Sequence, residues 1–203
     1  MSDVFYTPPA AELVDSPKKG SPFFTVSVNK LTVMLIVTSG LYGIYWSFKN
    51  WSHYKAYSGR PLWPIPRAFF GLIYLPSLFY KVDAELKTQG KRLPYWAALA
   101  AGLILLFLAP SLIGFLIGLF QGLTQGTYTG VGIIPAILAS TIPFLLQCLI
   151  LRRVQSFINL ANGDADGTRN KDFTRWNVLW MVIGIIYWVA GTMLTISMNQ
   201  PPL

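Results

Sequence analysis

The sequence predicts an all-α, multi-pass helical integral membrane protein, with three full-length transmembrane helices and two shorter N-terminal helices that either span the membrane or associate with it. Three observations carry this reading. Between Arg92 and Arg152 the chain has no Asp, Glu, Lys, Arg or His. After Arg175 it again has none. A helix rises about 1.5 Å per residue and the hydrocarbon core is about 30 Å thick, so about 20 apolar residues make one crossing. The first stretch therefore holds two crossings and the second holds one. Composition agrees: 53% of residues are hydrophobic, 15% aromatic and only 12% charged, whereas a soluble domain has about 25% charged residues.

Taken in order, residues 1–27 read as a flexible tail, because Pro8, Pro9, Pro17 and Pro22 stand among scattered charges and little apolar surface. Residues 28–203 read as a single helical membrane domain. Its first apolar segment, 31–48, is interrupted at Thr38-Ser39-Gly40, where small hydroxyl residues and a glycine weaken a helix. Aromatic residues then crowd between Tyr42 and Tyr57 among Lys49, His53 and Lys55, a mixture suited to the headgroup layer. The second segment, 68–80, is short for a crossing and contains Pro76. An interfacial or re-entrant helix is the alternative there. Residues 81–94 form a charged exit. Segments 95–119, 131–150 and 176–198 are the three full crossings, with Tyr95, Trp96, Trp176 and Trp180 at their starts as an aromatic belt.

Lys and Arg set the expected orientation. Residues 121–130 and the C-terminal end carry none and are expected outside. Residues 81–94 and 152–175 carry many and are expected in the cytoplasm. If both early segments dip in and return, all 16 basic residues stay inside; if only the first crosses, the N-terminus is outside. The complete positive-inside bias and the broken first helix favour the former. The net charge of +8 does not imply nucleic acid, because the cations lie along loops beside apolar segments, where lipid headgroups are their partners.

The most regular local pattern is a row of glycines at four-residue spacing, Gly114, Gly118, Gly122, Gly126 and Gly130. On one helix such a row makes a groove that another helix can approach closely. Self-association or a pore lining would use it; packing within the chain or a loose external turn is the plainer explanation. Beyond Arg152, Gln155, Asn159 and Asn162 fall at i, i+4 and i+7, a polar face opposite Val154, Phe157, Ile158 and Ala161. It could bind a headgroup or a partner, and the plainer expectation is a solvated face at the membrane boundary.

The run from Asn162 to Phe173 resembles a calcium loop at Asn162, Asp164, Asp166 and Gly167, but its twelfth position is Phe173 where a bidentate Glu is needed. A polar turn is expected instead. His53 is the sole histidine and Cys148 the sole cysteine, each without partners at ligand or nucleophile spacing. No catalytic residue, metal ligand or cofactor is expected, and no Asp or Glu lies within a full crossing to serve ion coupling.

The stretch from Phe24 to Trp51 resembles a motif of small bacterial inner-membrane proteins built on a domain of unknown function. Its T-x-G-x-Y-x-x-Y-W core stands at Thr38, Gly40, Tyr42, Tyr45 and Trp46, followed by Lys49, Asn50 and Trp51. Further similar stretches are Pro66–Phe70, the pair Asn159 and Asn162, and D-F-T-R-W-N at Asp172–Asn177. Residues Tyr6–Asp15 are similar to a proline-rich leader found ahead of many such proteins. The resemblance implies bacterial inner-membrane location and architecture, and no activity. The expected role is a non-enzymatic membrane accessory or scaffold acting by helix association, with the bilayer and a homo-oligomer or another membrane protein as partners. The alternative is a passive oligomeric pore or carrier built on the glycine row.

Overall fold

The computed structural model describes residues 20–125 and 133–198. Among these the regular secondary structure is all helical: α1 (Val28–Val37), α2 (Tyr42–Ser58), α3 (Pro64–Phe69), α4 (Gly71–Thr88), α5 (Trp96–Gln125), α6 (Ile133–Ala161) and α7 (Arg175–Met198), with one 3₁₀ turn at Thr168–Asn170. The proline-rich leader, Gly126 and Gly130 lie outside the described residues, as does the second half of the 121–130 loop expected outside.

Three helices are long and apolar enough to cross a membrane, over Trp96–Thr124, Ile137–Ala161 and Arg175–Leu194. Their outward faces carry exposed Leu105, Phe107, Phe115, Ile142, Leu149, Ile186 and Leu194. Such faces are stable where the solvent is lipid, because hydrocarbon imposes no cost on apolar surface. This is a membrane protein whose buried core lies at one end of the bundle. Trp46, Trp51, Tyr42, Phe23, Phe79, Leu78, Leu86 and Ile158 are fully buried there, drawn from α2, α4, α6 and the segment before α1.

The apolar segment 31–48 does not form one helix. Ser27 caps α1 by accepting the Lys30 N–H at 3.2 Å. At the other end Ser39 and Gly40 take φ values of 50° and 84°, and the chain reverses. Thr38 sits on both sides of this turn: its hydroxyl donates to Met34 O at 2.7 Å and accepts the Tyr42 N–H at 3.0 Å. At 10 residues, α1 spans about 15 Å, half the hydrocarbon core.

Gly184 shows where the turn lies. A Cβ built there would overlap the carbonyl oxygen of Val37 and stand 2.5 Å from Thr38 Cα. Gly184 is nine residues into α7, about 14 Å along its axis. On the α6 side, Phe144 approaches Gly40 to 3.4 Å of its built Cβ. Trp188 adds a bond from Nε1 to Ile36 O at 3.3 Å. Beyond the turn the start of α2 meets α7, with the rings of Tyr42 and Tyr45 6.4 and 6.3 Å from Trp180. The first segment is a helical hairpin whose first arm, α1, packs on both α6 and α7.

The second segment differs from expectation as well. Residues 68–80 are not a unit, because a break at Phe70 separates α3 from α4. Pro76 does not stop α4, which continues through the charged stretch to Thr88. Its amphipathic face explains this: Leu78, Phe79, Val82 and Leu86 are buried, and Asp83 is held by Lys87 at 2.6 Å and by the Leu93 N–H at 3.0 Å. The burial gained on that face outweighs the cost of one proline.

The tail boundary also moves. Residues 22–26 are buried and stretch across the end of α6, so the flexible reading of 1–27 does not hold for its last part.

A carboxamide clasp as the candidate functional site

Residues 21–27 form an extended strap with no helix or sheet to satisfy its backbone. Buried backbone groups must find partners, and here side-chain amides supply them. Asn162 Nδ2 donates to Phe23 O at 2.8 Å while its Oδ1 accepts the Phe23 N–H at 3.2 Å. Asn159 repeats the pattern on Val26, donating at 2.9 Å and accepting at 3.4 Å. Gln155 Nε2 donates to Phe24 O at 3.1 Å, and Asn170 Nδ2 to Thr25 O at 3.0 Å. Asn50 Oδ1 accepts the Phe24 N–H at 3.2 Å. Every backbone carbonyl from Phe23 to Val26 thus meets a carboxamide, a group that donates and accepts as a peptide does.

The polar stripe on α6 is therefore not a solvated boundary face. Gln155 and Asn159 are 0% exposed. A helix stripe bearing only carboxamides, with no Lys or Glu, is the signal that could have shown it: charges pay heavily for burial, whereas amides can be fully paired. The amides also bond one another, Gln155 Nε2 donating to Asn159 Oδ1 at 2.7 Å.

The family-like motif forms the opposite wall. Trp46 Nε1 donates to Gln155 Oε1 at 2.6 Å, and Asn50 Nδ2 to Trp46 O at 2.9 Å. The Phe24 ring lies 6.1 Å from Tyr45, 5.9 Å from His53 and 5.6 Å from the Lys49 ammonium. Thr38 and Gly40 make the turn, Tyr42 and Trp51 fill the core, and Trp51 Nε1 and Ser47 Oγ have no partner among the described residues. The motif positions thus bend the hairpin and grip the strap.

Two neighbours complete the clasp. Gly167 has φ 67°, and a Cβ there would stand 2.7 Å from Asn159 Nδ2, Ser27 Cα and Val26 O. The loop from α6 to α7 thus presses backbone on backbone. Lys30, 3% exposed, donates to Asn170 Oδ1 at 2.7 Å and to Asp172 O at 2.6 Å. Burial holds its pKa below the ordinary lysine value, with Asp172 opposing. Burial, then the Lys49 charge, lowers the pKa of His53 against a hydrogen bond to the Ser21 backbone. No spacing in the sequence points to roles for Lys30 or Asn170, because their side-chain partners lie more than 130 positions away.

Asp164 is committed to its own loop, Oδ1 accepting from Thr168 N at 3.0 Å and Oγ1 at 2.9 Å, and Oδ2 from Arg169 N at 3.0 Å. These bonds, the Arg169 N–H first, keep its pKa below the usual carboxylate value. A polar turn is what the loop is, as its Asn, Asp and Gly content predicts. In the D-F-T-R-W-N stretch, Thr174 and Asn177 bond reciprocally at the start of α7, a capping-box arrangement.

The glycine row behaves differently. A Cβ at Gly114 or at Gly122 would meet nothing within 4 Å, so among the described residues neither makes a close helix approach. Close approach is instead made by Gly184 and Gly167.

Comparison with family models, with curated proteins and with solved structures gives no match for this chain.

Proposed function

We propose that this chain is a non-enzymatic accessory or scaffold protein of the bacterial inner membrane, and that the clasp holds the N-terminal leader at a defined point on the cytoplasmic face for a protein partner. The backbone-directed grip on Phe23–Val26 carries the reading. Its amides engage main chain, so they anchor position and direction, and their hydrogen-bonding capacity is committed to that task. In this arrangement residues 81–94 and 152–175 are cytoplasmic, the C-terminal end is outside, and the re-entrant hairpin keeps Lys49, Lys55, Arg60 and Arg67 inside, in line with the positive-inside bias.

The test is photocrosslinking in native membranes from a probe at Tyr6, with and without Asn159→Ala. A discrete protein adduct that weakens when the clasp is broken, at equal protein level, supports the proposal. Absence of any adduct, or one indifferent to Asn159, overturns it.

One observation favours a second reading. The open space beside Gly114 and Gly122 suits a helix of another copy, and an oligomeric pore or carrier would be built there. The oligomeric mass in nanodiscs of the wild type against Gly114→Leu and Gly118→Leu decides it: a defined oligomer dissolved by these changes supports assembly, and a monomer opposes it.

A further inference from the structure

From Ser16 to Val82 the chain contains no Asp or Glu, while Lys and Arg occur eight times. Much of this cationic stretch folds into α2, α3 and the start of α4. α3 packs on α2 and α4 and lies outside the spanning bundle, and its outer side is apolar to an unusual degree. Trp63 is 76% exposed, Phe69 72% and Ile73 71%, with Ile65 and Phe70 also exposed. Beside this ridge is a shallow groove lined by Ser52, Lys55, Gly59 and Arg60. The other cations of the region are turned onto rings: Arg67 lies 4.6 Å from Trp51 and 4.7 Å from Tyr74, and Lys81 4.7 Å from Tyr54. Lys55 and Arg60 are exposed, and Glu85 on the neighbouring α4 accepts a hydrogen bond from Tyr57 at 3.0 Å.

An apolar ridge edged by cations that form no ion pair among the described residues matches one surface, an anionic lipid leaflet, where aromatic and aliphatic side chains enter the acyl boundary and cations meet phosphate. A soluble acidic partner would match the charge and leave the ridge unexplained. We propose that α3 is an interfacial foot and that the Lys55–Arg60 groove binds the phosphate headgroup of an anionic phospholipid. The site is independent of any partner of the leader. Each cation near such a surface contributes roughly fivefold to partition.

The test uses the full chain in nanodiscs of phosphatidylcholine with or without phosphatidylglycerol. Retained phosphatidylglycerol is counted by native mass spectrometry for the wild type, Lys55→Gln/Arg60→Gln and the charge-preserving Lys55→Arg/Arg60→Lys. A spin label at Trp63→Cys in a Cys148→Ser background reports depth. The double neutral variant is expected to lose retention by about tenfold or more, the charge-preserving one to keep it, and the label to be shielded from a water-soluble relaxant. Unchanged retention in the neutral variant overturns the headgroup site. A label fully open to the aqueous relaxant overturns the foot and turns attention to an acidic protein.

Discussion

Asn159 and Val26 are joined as two strands of a sheet would be: the side-chain amide donates to Val26 O at 2.9 Å and accepts from Val26 N at 3.4 Å. The pair links α6 to a segment 133 positions earlier. Replacing Asn159 by Ala leaves both backbone groups, and one N–H of the Gln155 amide, without their partner in a site closed to water. Buried unpaired groups cost about 1–3 kcal/mol each, so Asn159→Ala is expected to lose on the order of 3 kcal/mol. Thermal unfolding in detergent measures this, and trypsin should cut near Lys30 faster in the variant.

Gly167 gives a second handle on the same contact from the opposite side. Its φ of 67° strains any side chain, and a Cβ would strike Val26 O and Ser27 Cα, which are backbone and cannot rotate away. Gly167→Ala is expected to destabilise by about 2 kcal/mol or more. Gly163, also at positive φ but with open space around it, should cost only the conformational part when changed to Ala. Equal losses at the two positions, read from the same melting curves, would mean that the loop does not press on the strap.

Gly184 and Gly114 make the corresponding contrast within the membrane. A Cβ at Gly184 meets the backbone of Val37 and Thr38, whereas one at Gly114 meets nothing. Gly184→Ala should force α7 away from the hairpin and cost on the order of 1–3 kcal/mol. Gly114→Ala should be neutral or slightly stabilising in a monomer, since Ala is the better helix former. Unfolding in detergent at fixed lipid content distinguishes them.

His53 predicts a pH dependence. Burial, followed by the Lys49 charge, lowers its folded pKa from the ordinary 6.5. Above 6.5 both folded and unfolded forms are neutral and the contribution is fully present. As pH falls below that value the unfolded chain binds the proton first, so stability declines until the folded pKa is passed. Melting temperature should therefore drop as pH is lowered through the ordinary histidine pKa of 6.5. The part of that drop due to His53 should vanish in His53→Gln, while Lys49→Gln should lessen it.

The spanning helices were legible because a bilayer filters composition alone: an uncharged run from Leu93 to Leu151 needs no partner to be recognised. The strap was not. Phe23–Ser27 follows four prolines in a polar tail, and the groups that order it lie on α2, α6 and the loop before α7. Periodicity found the stripe of Gln155, Asn159 and Asn162 correctly and gave it the wrong environment, since a pattern of polar positions does not say whether water or backbone answers it. For the glycines, spacing showed a repeat and not a contact: a Cβ at Gly114 or Gly122 meets nothing among the described residues, while the single Gly184 carries the closest approach, and only the fold brings Val37 to it. The break at Thr38-Ser39-Gly40 was readable as a break; that the chain turns back there depends on α6 and α7 closing around it.

The hairpin makes one prediction that a spanning first helix does not share. The start of α1 lies beside the loop before α7, through Lys30 and Asp172, and the end of α4 lies beside the end of α6, through Gln89 Nε2 and Ala161 O at 2.9 Å. Since α2 returns from mid-depth, Lys55 must emerge on this same face. α5 leads away from it and ends at Gln125. Single cysteines at Lys55, Gln89, Lys171 and Thr124 in a Cys148→Ser background, treated with an impermeant maleimide on sealed vesicles, should fall into two groups. Positions 55, 89 and 171 should label together, and 124 from the other side. Were α1 and α2 together one crossing, 55 would join 124 or lie opposite the strap. On the orientation proposed above, with the group of three in the cytoplasm, only position 124 should react in intact spheroplasts.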